Sequence, residues 1–333
     1  MTEMEGPPNV PMDGVLAGQP TLDDRVAGSL AASGWGLDVA SVAPLNSERD
    51  QNWLMTTAAG RRYVLKVTNR DEPPGTVDLQ IRMMEAARRG GVVVPGHVPS
   101  ASGDPWREHE GHLVWLIDFL PGTRLADLPG AEGSVLAELG RVVGRMTRAL
   151  AGFEHPAAHR RLQWDVLHAK TVIEDYRRYV AGHGRAQLLD RCLTGFEERV
   201  VPRLAGLPRS VVHNDVNDHN VLVAADGRIG IIDFGDAVHT VTVNELAVAS
   251  AYAMLDKAEP FAVAADLRAG FERERPLTGD EQLVLPELIR TRLAMSVSIS
   301  AFQQSRNPDN PYLHVSEAPV WRLLEHFLDV DDE

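Results

Sequence analysis

The feature that most constrains the fold of this 333-residue sequence is a polar loop placed between short apolar strands. An apolar run leads into His213-x-Asp215-x4-Asn220, and a second apolar run follows directly. After a turn, a third apolar run ends in Asp233-Phe234-Gly235. This alternation predicts a β-hairpin whose geometry brings the polar loop and Asp233 to the same end. The fold must therefore place the polar loop and Asp233 together at one site.

These side chains are the types that phosphoryl transfer requires. The reaction needs a group to orient the attacking hydroxyl and oxygen ligands for the Mg²⁺ on the phosphates. Asp215 fits the first role, and Asn220 and Asp233 supply hard oxygen ligands for the second. A polar loop and an Asp-Phe-Gly turn also arise by chance, but their ordered pairing between apolar strands favours catalysis. We predict that Asp215, Asn220 and Asp233 are catalytic, with Asn220 and Asp233 binding the metal.

A lysine within an apolar strand supplies a candidate phosphate contact. Lys66 lies in the run Tyr63-Val64-Leu65-Lys66-Val67, where burying an ammonium without a partner is costly. A lone strand lysine usually lies on a solvated face. Together with the downstream motifs, however, the pattern predicts that Lys66 contacts the nucleotide phosphates.

The order of the predicted elements indicates an α+β chain in two parts. Residues 1–20 are rich in Pro, Gly and acidic residues and are predicted to form a flexible tail. Residues 21–118 read as an antiparallel sheet of about five strands crossed by one helix, and residues 119–333 read as mainly helical. The predicted strands are Val39–Leu45, Asn52–Thr57, Arg62–Thr68, Val92–Val98 and His112–Phe119, and the crossing helix is Thr76–Arg89.

Composition excludes several classes of function. A formal net charge of −14 argues against a nucleic-acid binder and favours cationic small substrates. No apolar run reaches the roughly 18 residues that a membrane-spanning helix needs, and the N-terminus lacks the pattern of a signal peptide. The single cysteine, Cys192, permits neither an internal disulfide nor a cysteine-based zinc site. These features predict a cytoplasmic enzyme that binds neither nucleic acid nor membrane.

The motifs resemble those of the aminoglycoside phosphotransferase and choline kinase superfamily, whose fold is similar to that of protein kinases. The His-x-Asp-x4-Asn loop matches residues 213–220, and Ile-Asp-Phe-Gly-Asp matches residues 232–236. Within the superfamily the sequence is most similar to hydroxylysine kinase and to phosphotransferase domains fused to class III aminotransferases. That closer likeness rests on residues 50–52, 217–220, 232–247, 307–310 and 316–319. The resemblance covers about residues 21–330 and implies a two-lobed protein-kinase-like fold.

The resemblance also implies a role for each matched position. Asp215 would be the catalytic base, Asn220 and Asp233 would bind Mg²⁺, and Lys66 would contact the phosphates of ATP or GTP. The hinge Leu116–Phe119, with Ile117 and Phe119, would bind the purine through backbone groups. Residues Ser47–Asn52, including Gln51 and Asn52, would cover the nucleotide in place of a glycine-rich loop.

Two positions depart from the family pattern. Asn214 stands where the family commonly has Gly, which changes the backbone preference of the loop without removing a ligand. The acidic partner that many kinases provide for the strand lysine has no obvious counterpart on the helix Thr76–Arg89. Asp78, Gln80 and Glu85 are candidates, and Gln80 fits the hydroxylysine-kinase-like pattern best.

Substrate contacts are less sharply specified. Asp236 is suited to a metal, to an acceptor amine or to capping a helix, and the sequence leaves these open. Trp164-Asp165 offers an aromatic face and a carboxylate to an ammonium group, although such pairs are equally often packing. Arg290 and Arg292, on an otherwise apolar helix, would suit a substrate carboxylate. The predicted substrate-binding residues are Asp236, Trp164, Asp165, Glu245 and Arg292, with Arg290 and Tyr312 as weaker candidates.

Three functions are consistent with these residues. The first is a kinase that phosphorylates a hydroxyl of an amine-bearing metabolite, with a hydroxylysine-like amino acid as the acceptor. The second is an antibiotic O-phosphotransferase, and the third is a pseudokinase that binds nucleotide and serves as a partner module. The intact set of Lys66, Asp215, Asn220 and Asp233 argues against the third, because a binding module needs no base.

Overall fold

A computed structural model describes residues 19–47, 49–128, 133–306 and 317–332. Most of the predicted tail, the segment 307–310, Tyr312 and Ser316 lie outside these residues. Among the residues that the structure describes, no helix has both the length and the apolar character needed to cross a membrane.

The N-terminal part is a helix packed on an antiparallel sheet. Helix α1 (Asp24–Trp35) begins where Asp23 accepts a hydrogen bond from the Val26 N–H at 2.8 Å, and it ends at Gly36, whose φ is 66°. The sheet has the order β1-β2-β3-β6-β4, with β5 paired to β6, and α2 crosses it. The bounds are β1 Val39–Leu45, β2 Gln51–Thr57, β3 Arg62–Val67, α2 Pro74–Arg89, β4 His97–Val98, β5 Arg107–His109 and β6 His112–Asp118.

The two faces of this sheet have different partners. Alternate side chains of β2 and β3, including Trp53 and Leu65, pack against α1 in an apolar cluster. The intervening side chains form a cross-strand row in which Lys66 lies opposite Asn52 on one side and Trp115 on the other. Lys66 therefore projects from the face of the sheet that is turned away from α1.

The C-terminal part is mainly helical, with short strands next to the polar loop. The long helix α8 is buried along much of its length, as expected for the central helix of a helical core. The bounds are β7 Thr123–Arg124, α3 Ser134–Ala149, α4 Ala169–Tyr176, α5 His183–Gly195, β8 Arg209–Val212, β9 Val221–Val223, β10 Ile229–Ile231, β11 Val238–Val241, α6 Asn244–Ala253, α7 Pro260–Glu272, α8 Gly279–Arg306 and α9 Glu317–Asp332.

Two small sheets hold the polar loop and join it to the N-terminal part. One has the order β10-β9-β7 and the other pairs β11 with β8, so the hairpin and its flanking strands are fixed on both sides. The Ile231 N–H donates to the carbonyl oxygen of Val93 at 3.0 Å. This bond attaches the hairpin to the segment that precedes β4.

The predicted α+β, two-lobed kinase-like fold is confirmed, but several element boundaries differ. Of the predicted strand Val92–Val98, only His97–Val98 joins the sheet, because Val93 instead bridges to Gly230. Helix α5 ends at Gly195 and the chain continues as a π turn and a 3-10 turn, with Pro202 unable to donate a backbone hydrogen bond. The division at residue 118 stays a prediction.

Candidate active site

The carboxylate of Asp215 is oriented by three side chains. Its Oδ1 accepts hydrogen bonds from Asn217 Nδ2 at 3.0 Å and Arg292 Nη2 at 3.3 Å, and its Oδ2 accepts one from Asn220 Nδ2 at 2.8 Å. The side chain is 22% exposed, so it is held firmly yet open to a ligand. Burial, and next the negative charge of Asp236, raise its pKa well above the ordinary range of an aspartate.

His213 connects this loop to the strand that carries the second carboxylate. The Asp215 N–H donates to His213 Nδ1 at 3.2 Å, so the proton of the neutral ring is on Nε2, which donates to the Ile232 carbonyl at 3.0 Å. Burial lowers the pKa of His213 to about 4. A neutral imidazole therefore fixes the relative positions of Asp215 and the residue that precedes Asp233.

The backbone conformation and the hydrogen bonds of Asn214 explain why asparagine can replace the family's glycine at this position. Its φ is 67°, in the left-handed region that asparagine tolerates better than most residues and that glycine adopts freely. Its buried side chain also receives a hydrogen bond from Asn244 Nδ2 at 2.8 Å and donates to the Trp164 carbonyl at 3.3 Å. The asparagine thus keeps the required backbone conformation and adds two bonds that glycine lacks.

Glu245 supports the loop from below. It is fully buried at the start of α6, and its carboxylate accepts the backbone N–H groups of His213 and Asn214. Burial raises its pKa to about 7. The prediction that Glu245 contacts substrate is therefore not supported, because a carboxylate beneath the loop is not accessible from the cleft.

Asp233 and Lys66 form the second half of the site. Lys66 Nζ lies 3.5 Å from Asp233 Oδ1, with the lysine buried and the carboxylate half exposed. The positive charge of Lys66 lowers the pKa of Asp233. Asp233 also has a φ of 63°, an uncommon conformation for a residue other than glycine and one often found at functional sites. The structure therefore brings these two predicted site residues together.

The donor groups here fit a divalent metal. Asn220 Nδ2 is committed to the backbone oxygen and the Oδ2 of Asp215, which leaves Asn220 Oδ1 as the remaining oxygen donor of that amide. The Ile232 N–H donates to the Asn220 carbonyl at 3.0 Å, so Asn220 and Asp233 are held on adjoining segments. No cluster of three or more His, Cys, Asp or Glu side chains suited to a metal occurs in the described residues. A set of one amide and one carboxylate oxygen suits Mg²⁺, which takes its other ligands from phosphates and water.

None of the three predicted partners on α2 pairs with Lys66. Asp78 instead accepts hydrogen bonds from His155 at 3.0 Å and Arg82 at 2.7 Å, and Glu85 is exposed. Gln80 is buried, and its Oε1 has no hydrogen-bond partner within the described residues. The carboxylate next to Lys66 is that of Asp233.

The residues predicted to cover the nucleotide have two different placements. Gln51 uses its side chain within the N-terminal part, where Oε1 accepts the Leu22 N–H at 2.8 Å. Asn52 faces Lys66 across the strand pair, and its buried Oδ1 has no partner among the described residues. Asn52 thus offers a polar group beside Lys66, whereas Gln51 stabilises the start of the chain.

The backbone groups of the predicted hinge are largely engaged within the sheet. Ile117 lies opposite Val64 on one side and His97 on the other, inside the sheet. The Phe119 N–H donates to the Arg62 carbonyl at 3.2 Å, and the Arg62 guanidinium lies 4.2 Å from the Phe119 ring centre. A purine contact through the Phe119 N–H is therefore not supported by this geometry.

Arg292 lies beneath Asp215 rather than at the surface of the cleft. Its side chain is 2% exposed, donates to the Trp164 carbonyl at 3.0 Å and lies 4.5 Å from the Trp164 ring centre. Asp165, next in sequence, is buried and accepts bonds from Thr240 Oγ1 and the Leu167 N–H. Arg292 therefore orients Asp215, and Asp165 caps a turn. Neither placement supports the predicted direct contact with substrate.

Two arginines that the sequence did not single out contact the loop after Asp233. Arg49 Nη2 lies 2.6 Å from Asp236 Oδ1. Arg160 donates to the carbonyl oxygens of Gly235 and Ala237. The position of Arg49 in a polar loop was the available signal, whereas nothing around Arg160 distinguishes it from a surface residue.

Curated proteins that are similar to this chain over most of its length are small-molecule kinases. Hydroxylysine kinase from Mus musculus is 27% identical over 343 residues, covering 94% of this chain and 91% of that protein. Homoserine kinase from Methylobacillus flagellatus is 30% identical over 302 residues, covering 87% of this chain and 88% of that protein.

Solved structures share the fold at lower identity. An amicoumacin kinase in complex with AMP-PNP, Ca²⁺ and its antibiotic has a TM-score of 0.70 at 17% identity, covering 92% of this chain and 94% of that chain. A microcompartment-associated aminopropanol kinase also has a TM-score of 0.70, at 19% identity, covering 93% of this chain and 98% of that chain.

A family match covers both halves of the site. Residues 41–279, which include Lys66 and the three predicted catalytic residues Asp215, Asn220 and Asp233, match the phosphotransferase enzyme family known as APH. The chain therefore belongs to the phosphotransferase enzyme family and is a small-molecule O-phosphotransferase.

Proposed function

We propose that the protein transfers the γ-phosphoryl group of ATP or GTP, with Mg²⁺, to a hydroxyl of a hydroxylysine-like amino acid. The observation that carries the proposal is the orientation of Asp215 by Asn217, Asn220 and Arg292, on a loop joined to Asp233 and Lys66. Phosphoryl transfer depends mainly on positioning and on neutralising charge, and this arrangement provides both.

Each residue has a distinct part in the proposed reaction. Asp215 accepts the proton of the acceptor hydroxyl as the bond from that oxygen to phosphorus forms. Its raised pKa makes it a better proton acceptor than an ordinary aspartate, while the Arg292 guanidinium opposes that rise and favours the ionised form. Lys66 contacts phosphate oxygens, and Asn220 and Asp233 would hold the Mg²⁺, which would neutralise phosphate charge.

The acceptor class is supported by the relatives rather than by charge, because Asp215, Asp233 and Asp236 are each paired with a cation of this chain. Hydroxylysine and homoserine, the substrates in the names of the relatives, are both amino acids with a side-chain hydroxyl. Homoserine is therefore the second candidate acceptor.

The test is a transfer screen with purified protein, Mg²⁺ and either ATP or GTP. The acceptors are 5-hydroxylysine, homoserine, amino alcohols and aminoglycosides, and release of nucleoside diphosphate is the readout. We expect release with 5-hydroxylysine or homoserine and none with their analogues that lack the hydroxyl, lysine and 2-aminobutyrate. Release driven by aminoglycosides alone would contradict the proposed acceptor and indicate an antibiotic O-phosphotransferase.

A further inference from the structure

Arg49 reaches across the cleft from the loop between β1 and β2. Its Nη2 lies 2.6 Å from Asp236 Oδ1, and its side chain is 47% exposed. The same nitrogen would lie 3.6 Å from a Cβ built on Gly235, so the guanidinium lies over the Asp233-Phe234-Gly235 turn. It is also among the positive charges that lower the pKa of Asp233. A half-exposed cation thus lies beside the proposed metal ligand.

Two cations of the N-terminal part therefore converge on one short segment. Lys66, from β3, contacts Asp233, and Arg49, from the loop before β2, contacts Asp236. Lys66 is the proposed phosphate contact, so Arg49 lies on the same short segment that the phosphates are proposed to approach.

The backbone around Arg49 is held, and its side chain is half exposed. Asp50 Oδ1 accepts the Asn69 N–H at 3.0 Å, and Ser47 Oγ accepts the Asp50 N–H at 3.3 Å. Asp236 is buried, whereas the Arg49 guanidinium is half exposed and can be approached from solvent. A terminal phosphate carries more negative charge than one carboxylate and can accept two parallel hydrogen bonds from the guanidinium, so it can compete with Asp236 for Arg49.

Arg49 is not needed to hold the Asp236 segment in place. Arg160 already donates to the carbonyl oxygens of Gly235 and Ala237, and its Nη1 lies 3.7 Å from Glu72 Oε1. These contacts fix the segment from a different direction. Arg49 is therefore available for a role other than structural support of this segment.

We propose that Arg49 is a catalytic arginine that pairs with Asp236 in the free enzyme and moves to the γ-phosphate when a nucleoside triphosphate is bound. The proposal rests on the phosphoryl-transfer function proposed above. In the step, the bond between the γ-phosphorus and the bridging oxygen breaks and its electron pair leaves with the nucleoside diphosphate. The acceptor oxygen bonds to phosphorus and its proton passes to Asp215. Arg49 donates two parallel hydrogen bonds to the γ-phosphoryl oxygens, where charge is spread in the transition state.

The first experiment measures binding without any acceptor. Titration calorimetry with Mg²⁺ compares a non-hydrolysable triphosphate analogue with the diphosphate for wild type, Arg49→Ala and Arg49→Lys. The control is Arg228→Ala, which removes an exposed arginine paired with Asp226 at 2.7 Å in the β9–β10 turn. We expect Arg49→Ala to lose about tenfold or more of the preference for triphosphate over diphosphate, because a hydrogen bond to a charged group is worth about that ratio. Its diphosphate affinity and the behaviour of Arg228→Ala should match wild type.

The second measurement is the transfer rate with the acceptor found in the screen. We expect kcat to fall about 10²–10³-fold in Arg49→Ala with an unchanged KM for the acceptor, and Arg49→Lys to recover only part of it. The proposal would be overturned if Arg49→Ala kept both the wild-type preference for triphosphate over diphosphate and the wild-type kcat. It would also be overturned if Arg49→Ala lost diphosphate and triphosphate affinity equally. If the wild type binds nucleotide but phosphorylates no acceptor, the proposed acceptor fails, while the binding ratio still tests Arg49. A wild type that binds no triphosphate refutes both.

Discussion

Replacing Arg292 with methionine should damage both stability and catalysis. The guanidinium is 2% exposed and lies 3.3 Å from Asp215 Oδ1. At an effective dielectric constant of about 20, two unit charges at that separation attract by roughly 5 kcal/mol before desolvation is counted. Removing one partner of a buried pair generally costs about 3–5 kcal/mol, because the other charge stays buried without compensation. We expect the free energy of unfolding of Arg292→Met to fall by about that amount.

The catalytic effect follows from the loss of orientation. Without Arg292, Asp215 keeps its bonds to Asn217 and Asn220 but loses the contact that opposes the rise in its pKa. A misplaced catalytic group typically costs about 10²-fold in rate. We expect kcat to fall by about that factor while the KM for nucleotide stays near the wild-type value, because Arg292 touches no predicted nucleotide contact.

Arg290 provides the matched control on the same helix. It is also buried, but its contacts are with other residues: it lies 3.8 Å from Glu287 and packs over the Phe327 ring at 5.1 Å. Arg290→Met should therefore lose a similar amount of stability and keep its kcat. Urea unfolding followed by tryptophan fluorescence and steady-state kinetics measure the two effects. Equal kcat values in the two variants would refute the reasoning.

Three further changes test other parts of the account. Lys66→Met should weaken triphosphate binding by about 10–100-fold, measured by calorimetry, because a charge-assisted bond to phosphate is lost; unchanged affinity would contradict its role. Glu245 has a pKa raised from 4.5 to about 7, so its protonated form stabilises the fold fully below pH 4.5, and this contribution of about 3 kcal/mol is lost as the pH rises through 7. Glu245→Gln should remove that part of the pH dependence of urea unfolding, and an identical slope in both proteins would count against it. Gly140→Ala should lower the melting temperature, because its Cβ would lie 1.9 Å from the Leu267 carbonyl oxygen, whereas Gly184→Ala, which meets nothing within 4 Å, should not.

The part of the site formed by local geometry was predictable. The loop, the turn and the following strand are close in sequence, so the hairpin register alone brings Asn220 near Asp233. The alternation of β3 likewise placed Lys66 on the face opposite Leu65. In each case a period of two residues and a turn signal determine the direction of the side chain.

Contacts between distant segments were not predictable in the same way. Arg292 lies 77 residues from Asp215 in sequence, and Arg49 lies 187 residues from Asp236. A sequence pattern indicates which face of an element is buried but not which segment covers that face. The same limit applies to Arg292, whose contact with Asp215 is not indicated by any pattern in the sequence.

The sequence around Glu245 indicates a structural role for this residue. It lies in a helix whose other residues are apolar or small, and every residue from 244 to 253 is buried. A carboxylate in such a helix needs internal hydrogen-bond donors, because burying it without them is costly. That rule predicts a structural role for Glu245 beneath a neighbouring loop, in agreement with its bonds to His213 and Asn214.

The most direct test of the central claim is a comparison of Asp215→Asn with wild type. The substitution keeps the shape of the side chain and an oxygen that can accept from Arg292, but removes the base. We predict that phosphoryl transfer falls by about 10²–10⁴-fold while triphosphate affinity stays close to that of wild type. The melting temperature should fall, because Arg292 stays buried without its charged partner, so turnover is compared well below the melting temperature of the variant. Turnover at the wild-type rate in Asp215→Asn would contradict the assignment of Asp215 as the base and, with it, the mechanism proposed for this site.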